Sequence, residues 1–354
     1  MAKSLIGIDI GYDTLKLVLL SGKRVRRAVV VPMPKNLIKE GRVVSPETLG
    51  ELIRTTLRQN RMSARRAALA LSEEISYVRT VVMPRMTAEQ LSYNLPFEFR
   101  DYITEELKDY KFDYSMITVE EKERKGFGKH AEPEPEPEPE SDLENGEEDS
   151  SNSMELLAAT VRNDVLDEMR AVVRKAGMKL VSASPVVCGY ISLIRNMDQS
   201  FRPESHEYCI LDLGYRNIRM YMFNGDRHIV TRQLDIGLLS LDSVIAESLS
   251  VDVHLAHTYL MTNYNDCQHS ENCQNAYGNI ALELMRALNF YRFSNRDSLL
   301  SDVWLIGGGA NIEPLCEAIR STLDLNVHPA WELIGAEGLE NCCELVQAIG
   351  TAVE

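Results

Sequence analysis

Residues 9–24 read Asp-Ile-Gly-Tyr-Asp-Thr-Leu-Lys-Leu-Val-Leu-Leu-Ser-Gly-Lys-Arg, and residues 212–227 read Asp-Leu-Gly-Tyr-Arg-Asn-Ile-Arg-Met-Tyr-Met-Phe-Asn-Gly-Asp-Arg. One constant offset matches Asp9 with Asp212, Gly11 with Gly214, Tyr12 with Tyr215, Lys16 with Arg219 and Gly22 with Gly225. Each copy has an apolar strand, a tight Gly turn, a second strand and then a Ser-Gly or Asn-Gly turn. A third strand is expected in both, through residues 29–31 and 228–231. Two meanders with the same punctuation imply two structurally related α/β halves.

Outward from these meanders the pattern alternates. Residues 46–59 predict a helix with Leu49, Leu52, Ile53 and Leu57 on one face, and residues 67–71 and 78–83 predict strands. Thr87-Ala-Glu-Gln90 is a capping box opening a helix that Pro96 should interrupt. Strands are expected at 112–119 and 155–161, and a helix capped by Asn163 should end at Gly177. A strand at 178–183 leads through Pro185 to a helix ending near Ile194. Further helices are expected at 238–249, 253–264, 279–291 and 312–323, with the strand Val303-Trp-Leu-Ile306 and Gly307-Gly308-Gly309 before the last. A terminal helix runs through Leu345, Val346 and Ile349.

The formal charge of −15 is uneven. Ten acidic residues and no Lys or Arg lie between Glu132 and Asp149, leaving about −5 for the rest. Alternating Glu and Pro denies that stretch helix and ladder bonds, so a disordered acidic loop is expected over 121–153. No basic surface of the size nucleic acid needs is apparent. Seven cysteines in a chain without a secretion signal suit free thiols. Cys267, His269 and Cys273 lack zinc-site spacing. No apolar run is long enough to span a bilayer, and Met1-Ala2-Lys3-Ser4 leads straight into a strand without a signal peptide's apolar core. The expectation is a cytoplasmic protein with no direct membrane insertion.

An Asp-x-Gly turn between strands lets backbone amides face phosphate oxygens while the Asp points into a cleft. Asp9 and Asp212 are the candidates to hold magnesium through water. Gly11, Thr14 and Gly214 would line the phosphate path, and Lys16 either adds positive charge or, by alternation, faces solvent. Gly307, Gly308 and Gly309, joining strand to helix, would admit a nucleoside. The run is not G-x-G-x-x-G, which argues against a dinucleotide fold. A kinase would also need a carboxylate base, for which Asp235 is the candidate.

The ordered set Gly7-Ile-Asp-Ile-Gly11, Leu211-Asp-Leu-Gly214, Leu305-Ile-Gly-Gly-Gly309 and Ala348-Ile-Gly-Thr351 resembles the actin–Hsp70–sugar-kinase superfamily. Within it, Asp9-Ile-Gly-Tyr-Asp-Thr-Leu-Lys-Leu-Val18 is similar to the opening motif of the PilM family of type IV pilus assembly. The resemblance implies an α/β, actin-like (ribonuclease H-like) two-lobed fold with a small inserted α+β subdomain. Residues 1–83 would form the first half of lobe I, 84–162 the inserted subdomain, and 163–184 the return to lobe I. Residues 185–235 and 300–338 would form the core of lobe II, 236–299 its helical subdomain, and 339–354 a helix returning to lobe I.

The same resemblance implies binding of ATP with Mg, Gly237 at a phosphate contact, and a PilN-like bitopic inner-membrane partner. That partner's cytoplasmic N-terminal peptide would lie between the first domain and the inserted subdomain. Val81, Met83, Leu91, Leu95, Phe99 and Tyr102 are its candidate groove, and the protein would sit peripherally at the inner membrane beside other platform proteins. The sequence departs from the family pattern at Tyr12, Asp13 and Tyr215, which crowd or charge the phosphate turns. It also has Leu238 after Gly237, His257 and Leu260 on the nucleoside helix, and no acid at Ser184–Pro185. Two readings stand: a nucleotide-binding or degenerate assembly scaffold, and a magnesium-dependent ATPase or small-molecule kinase of the same superfamily.

Overall fold

The computed structural model describes residues 4–117, 153–336 and 338–353. The acidic loop expected over 121–153 lies outside them, except that Ser153 opens a strand.

In chain order, β1 (Ser4–Ile10), β2 (Thr14–Ser21) and β3 (Arg24–Pro32) form the first meander. A short hairpin of β4 (Ile38–Lys39) and β5 (Arg42–Val43) precedes α1 (Pro46–Gln59), β6 (Arg66–Leu71) and β7 (Ser76–Pro84). Then come α2 (Ala88–Asn94), β8 (Tyr110–Met116), β9 (Ser153–Arg162), α3 (Asn163–Lys175), β10 (Lys179–Pro185) and α4 (Val186–Asn196). The second meander is β11 (Glu207–Leu213), β12 (Ile218–Asn224) and β13 (Arg227–Leu234). It is followed by α5 (Leu238–Leu249), α6 (Val253–Thr262), α7 (Glu271–Ser294), β14 (Asp302–Ile306), α8 (Glu313–Thr322), β15 (Asn326–His328), α9 (Ala330–Ile334) and α10 (Cys342–Val353).

The two main sheets have the same plan. One is ordered β10-β6-β1-β2-β3 and the other β15-β14-β11-β12-β13. In each, the acid-bearing strand is central, antiparallel to its hairpin partner and parallel to its other neighbour. The register repeats as well: Asp9 pairs with Lys16, and Asp212 with Arg219.

Strand alternation builds five layers. Ile6, Ile8, Leu15 and Leu17 face α1 and α3, while Val18, Leu20, Ala68 and Ala70 face α4 and α10. From the other sheet, Tyr208, Ile210 and Tyr221 meet the same two helices, and Leu211, Leu213 and Met220 face α5, α7 and α8. Two helices are thus clamped between two sheets, and glycine sets how closely. A Cβ on Gly7 would stand 2.0 Å from the Ala348 carbonyl oxygen, and one on Gly350 would stand 2.9 Å from the backbone of Gly189.

The third sheet, β7-β9-β8, with α2 and the 3-10 turn Leu95–Phe99, is the inserted subdomain. It takes in β7, so it opens at Ser76 rather than at residue 84, because β7 pairs along its whole length with β9. The capping box at Thr87 and Gln90 forms, and Pro96 converts the α-helix to 3-10. Asn163 is not the cap of α3: Arg162 stands there, and the Asn163 amide donates to the Lys108 carbonyl at 3.1 Å. Helix α7 starts eight residues before the expected Asn279, capped by Ser270.

Replacing Gly7 by Ala should cost about 2–3 kcal/mol, because the obstruction is backbone with nowhere to move. Gly278→Ala, where an added Cβ meets nothing within 4 Å on α7, should be neutral or stabilising by up to about 1 kcal/mol. Urea unfolding of both variants checks this; equal midpoints would contradict the close-approach account.

Candidate functional site: an acid-lined cleft between the lobes

The hairpin 10–14 turns at Gly11, whose N–H donates to the Thr14 carbonyl at 3.0 Å. The equivalent turn at Gly214 is equally tight: a Cβ there would lie 2.6 Å from the Asn217 carbonyl oxygen. Helix α5 is bonded onto this second turn, its Leu238 and Leu239 N–H groups donating to the Gly214 and Tyr215 carbonyls at 3.2 and 2.9 Å. The turns face one cleft of about 530 Å³ between the lobes. Asp9, Gly11, Thr14, Lys16, Asp212, Gly214, Gly307 and Gly308 all line it.

Each central acid has a protein partner. Lys16 sits 3.2 Å from Asp9, so it turns into the cleft and not to solvent. Burial alone would lower the Lys16 pKa, but the adjacent Asp9 and Glu344 carboxylates outweigh it and keep the ammonium charged. Asp212 accepts from Gln347 on α10 at 2.8 Å. Burial raises its pKa, opposed in part by Arg219 and Lys16. Gly307, at φ +85°, has no room for a side chain: a Cβ would meet the Asp212 carboxylate at 2.4 Å.

The residues that crowd the turns are used to tie the lobes together. The Arg216 guanidinium lies 3.9 Å from the centre of the Tyr12 ring, joining the two hairpin tips by a cation–π contact. The Tyr12 hydroxyl donates to Glu74 and accepts from the Gly41 N–H at 2.7 Å. Arg219 pairs with Glu73 at 3.2 Å and Glu74 at 3.4 Å, and the Tyr221 hydroxyl donates to Glu73 at 2.7 Å. His257 bridges Asp13 of lobe I at 3.1 Å and the fully buried Asp242 at 2.9 Å, with Tyr215 edge-on to its ring. Asp13 is therefore neutralised across the cleft rather than left as an unpaired charge.

Three expected positions fall elsewhere. Gly237 is buried beneath the second turn, where a Cβ would stand 2.5 Å from the Tyr215 carbonyl oxygen; it supports the turn and does not line the cleft. Gly309 packs against Leu213 in the core of lobe II. Asp235 is exposed, accepts from Gln233 at 3.0 Å and is outside the cleft lining. Sequence reading missed Glu73, Glu74, Arg216, Glu344 and Gln347. The Ser-Glu-Glu following a buried strand was the one local signal.

The candidate groove also requires correction. Val81, Met83, Leu91, Leu95 and Phe99 are buried together with Ile103, Tyr110 and Leu156 as the core of the inserted subdomain. Of the six, Tyr102 is exposed at 52%, under the Arg79 guanidinium. A groove does exist beside that core, between β10 and the subdomain sheet, with a volume of about 360 Å³. Residues 181–185 of β10 all line it, as do 113–115 of β8, so both strands present edges and not single faces. Among the described residues, both are terminal strands of their sheets. Leu157, Ala159 and Val161 of β9 form the floor.

A duplicated two-lobed fold closing on an acid-lined cleft, with a small sheet inserted in the first lobe, defines an actin-like protein. A family model described as "Type IV pilus assembly protein PilM" matches residues 7–126 and 142–330. The chain belongs to the PilM family. Among solved structures it is similar to a "PilM-PilN type IV pilus biogenesis complex", with TM-score 0.77, 23% identity and 100% of both chains covered. It is also similar to the ethanolamine utilization protein EutJ from Carboxydothermus hydrogenoformans, with TM-score 0.57, 13% identity, and 98% of this chain and 88% of that one covered. A third likeness is to MreB 5 of Spiroplasma citri bound to AMPPNP, with TM-score 0.51, 10% identity, and 100% and 96% covered. Among the described residues, no helix is long and apolar enough to cross a membrane.

Burial alone would depress the His257 pKa; its hydrogen bonds to Asp13 and Asp242 outweigh that and raise it from 6.5 to about 10. The raised value means that the bridge contributes stability in full below about pH 6.5 and loses it as pH climbs through about 10. Urea midpoints of the wild type and His257→Gln should differ most at about pH 6, less at pH 8, and converge above about pH 10. A gap independent of pH would show that the imidazolium is not the bridging species.

Proposed function

We propose that this chain is an actin-like adaptor of a type IV pilus or related secretion platform. In this reading it holds the cytoplasmic N-terminal peptide of a PilN-like bitopic inner-membrane protein in the groove between β10 and β8. The construction of that groove supports the proposal: two strands that end their sheets among the described residues line it on either side of an apolar floor. An extended peptide entering there can bond to either edge as an added strand, while alternate side chains reach the floor. Membership of the PilM family and likeness to a complex that contains PilN agree with it. The protein would then sit on the cytoplasmic side of the inner membrane, attached through its partner.

Val181 tests the groove, because it is 39% exposed on the wall and its replacement leaves the core intact. Calorimetry with N-terminal peptides of PilN-like partners should show binding that Val181→Asp weakens at least tenfold, with unchanged unfolding. Binding indifferent to Val181→Asp and to Tyr114→Ala would place the peptide elsewhere.

The cleft is the proposed site of ATP and magnesium. Magnesium keeps several waters and takes one or two carboxylates beside phosphate oxygens, which suits Asp9 and Asp212. Gly307 and Gly308 line the same cleft as His254, Thr258 and Met261, which would form the wall for a nucleoside. Occupancy would bias the lobe-bridging contacts and hence the groove, whose β10 wall belongs to lobe I. The catalytic alternative, an ATPase or kinase, has no support from Asp235 at its observed position. Magnesium–ATP should raise the melting temperature, and Asp9→Asn should abolish the rise. Absence of any shift at millimolar nucleotide would leave a peptide-binding scaffold alone.

A further inference from the structure

The end of the first sheet opposite the cleft gathers cations from three separate stretches of sequence. Ser21 pairs with Arg24, and Lys179 with Arg66, so Lys179, Arg66, Ser21 and Arg24 mark one edge of the five-stranded sheet. At the usual strand spacing that edge is about 19 Å wide. The β2–β3 turn adds Lys23, and β3 adds Arg26 and Arg27. Arg27 donates to the Asn60 carbonyl at 3.3 Å, which brings the end of α1, with Arg58 and Arg61, to the same place. Arg65 joins them, its carbonyl accepting from the Lys179 N–H at 3.0 Å.

All nine of these side chains are exposed, and among the described residues none makes an ion pair. Neither residues 21–28 nor residues 57–67 contain an acid. In a chain of net charge −15, such a surface concentrates positive charge where the remainder disfavours it.

We propose that this sheet end adsorbs directly to an anionic phospholipid surface. Its composition separates that partner from others. None of the large exposed apolar side chains lies in residues 21–28 or 54–66, so the surface lacks the apolar centre of a protein interface and has no wedge to insert into a bilayer. It also has no aromatic ring on which a nucleic-acid base could stack. Guanidinium and ammonium groups fanned over one end suit lipid phosphates, each cation near an anionic membrane strengthening adsorption roughly fivefold.

The location is consistent. Lys23 donates to Asn196 at the end of α4, next to Arg195, which lines a smaller cavity with Asp226 and Arg227; that cavity shares Ser115, Leu157 and Cys188 with the proposed peptide groove. The cationic end is therefore linked through the end of α4 to the cavity that adjoins the groove. This last point rests on the peptide reading above; the charge arrangement does not.

Flotation of the full chain with vesicles containing about 30% phosphatidylglycerol in phosphatidylcholine tests the proposal, with no partner peptide present. Binding is expected to the anionic vesicles, not to pure phosphatidylcholine, and to weaken with salt. The triple reversal Arg24→Glu, Arg26→Glu, Arg27→Glu should weaken it at least tenfold, while reversing the remote Lys108 and Arg170 should not. Urea unfolding and peptide calorimetry on the same variants should be unchanged. Failure of peptide binding with vesicle binding intact would count against the groove alone. No preference for anionic vesicles, equal loss in the remote variant, or binding to duplex DNA in place of vesicles would overturn the lipid assignment.

Discussion

The molecule is organised by the contact between the Ala348 carbonyl and Gly7. It lets α10 lie directly on the strand that carries Asp9, while Gly350 and Gly189 let α10 and α4 cross without side chains between them. Two sheets are thereby held one helix-layer apart, and their hairpin turns meet over the ends of those helices. The same helix supplies Gln347 to Asp212, and Glu344 to Asn311 at 2.8 Å and to Thr14 at 3.5 Å. A side chain at residue 7 would push the helix off the sheet and separate the two acids that the cleft brings together.

The acids of the cleft are answered largely from within the chain, with Glu73 Oε1 left without a hydrogen-bond partner among the described residues. A buried carboxylate without a partner costs several kcal/mol, and here Asp9, Asp13, Glu73, Glu74, Asp212 and Asp242 are each bonded to a cation, an amide or a phenol. Many of those bonds cross from one lobe to the other. Tyr12 and Asp13, which look obstructive on paper, are the lobe I ends of two such bridges. The bridges give the arrangement of the two lobes a source of stability that does not depend on phosphate.

The duplicated meander was legible because its information is local: a β-turn at Gly11 or Gly214 and the register that follows from it are written within a few residues. Helices 46–59 and 238–249 were legible for the same reason. Polar Asn272, Gln274 and Asn275, together with Gly278, masked the opening turns of α7, whose stability comes from packing Cys273, Tyr277 and Ile280 into the core of lobe II. That five of the six candidate groove residues are core was not legible, because apolar residues on a strand do not announce which face is covered. Val81 and Met83 turn inward, Val82 between them is exposed, and only the three-stranded pairing decides it. The proposed groove is made of strands that end two different sheets among the described residues, a property of sheet pairing that leaves little trace in composition.

An actin-like fold with an acid-lined cleft thus carries its proposed partner site beside an insertion, where strands of the host sheet and of the inserted sheet line one groove. Amide hydrogen exchange is the most direct test of that claim, since the two edges are separate peptides in the sequence. On addition of a saturating PilN-like N-terminal peptide, residues 111–116 and 179–185 should both gain protection while the outer strand β3 is unchanged. Protection confined to α2 and the turn at residues 95–103, with neither strand edge affected, would contradict the account.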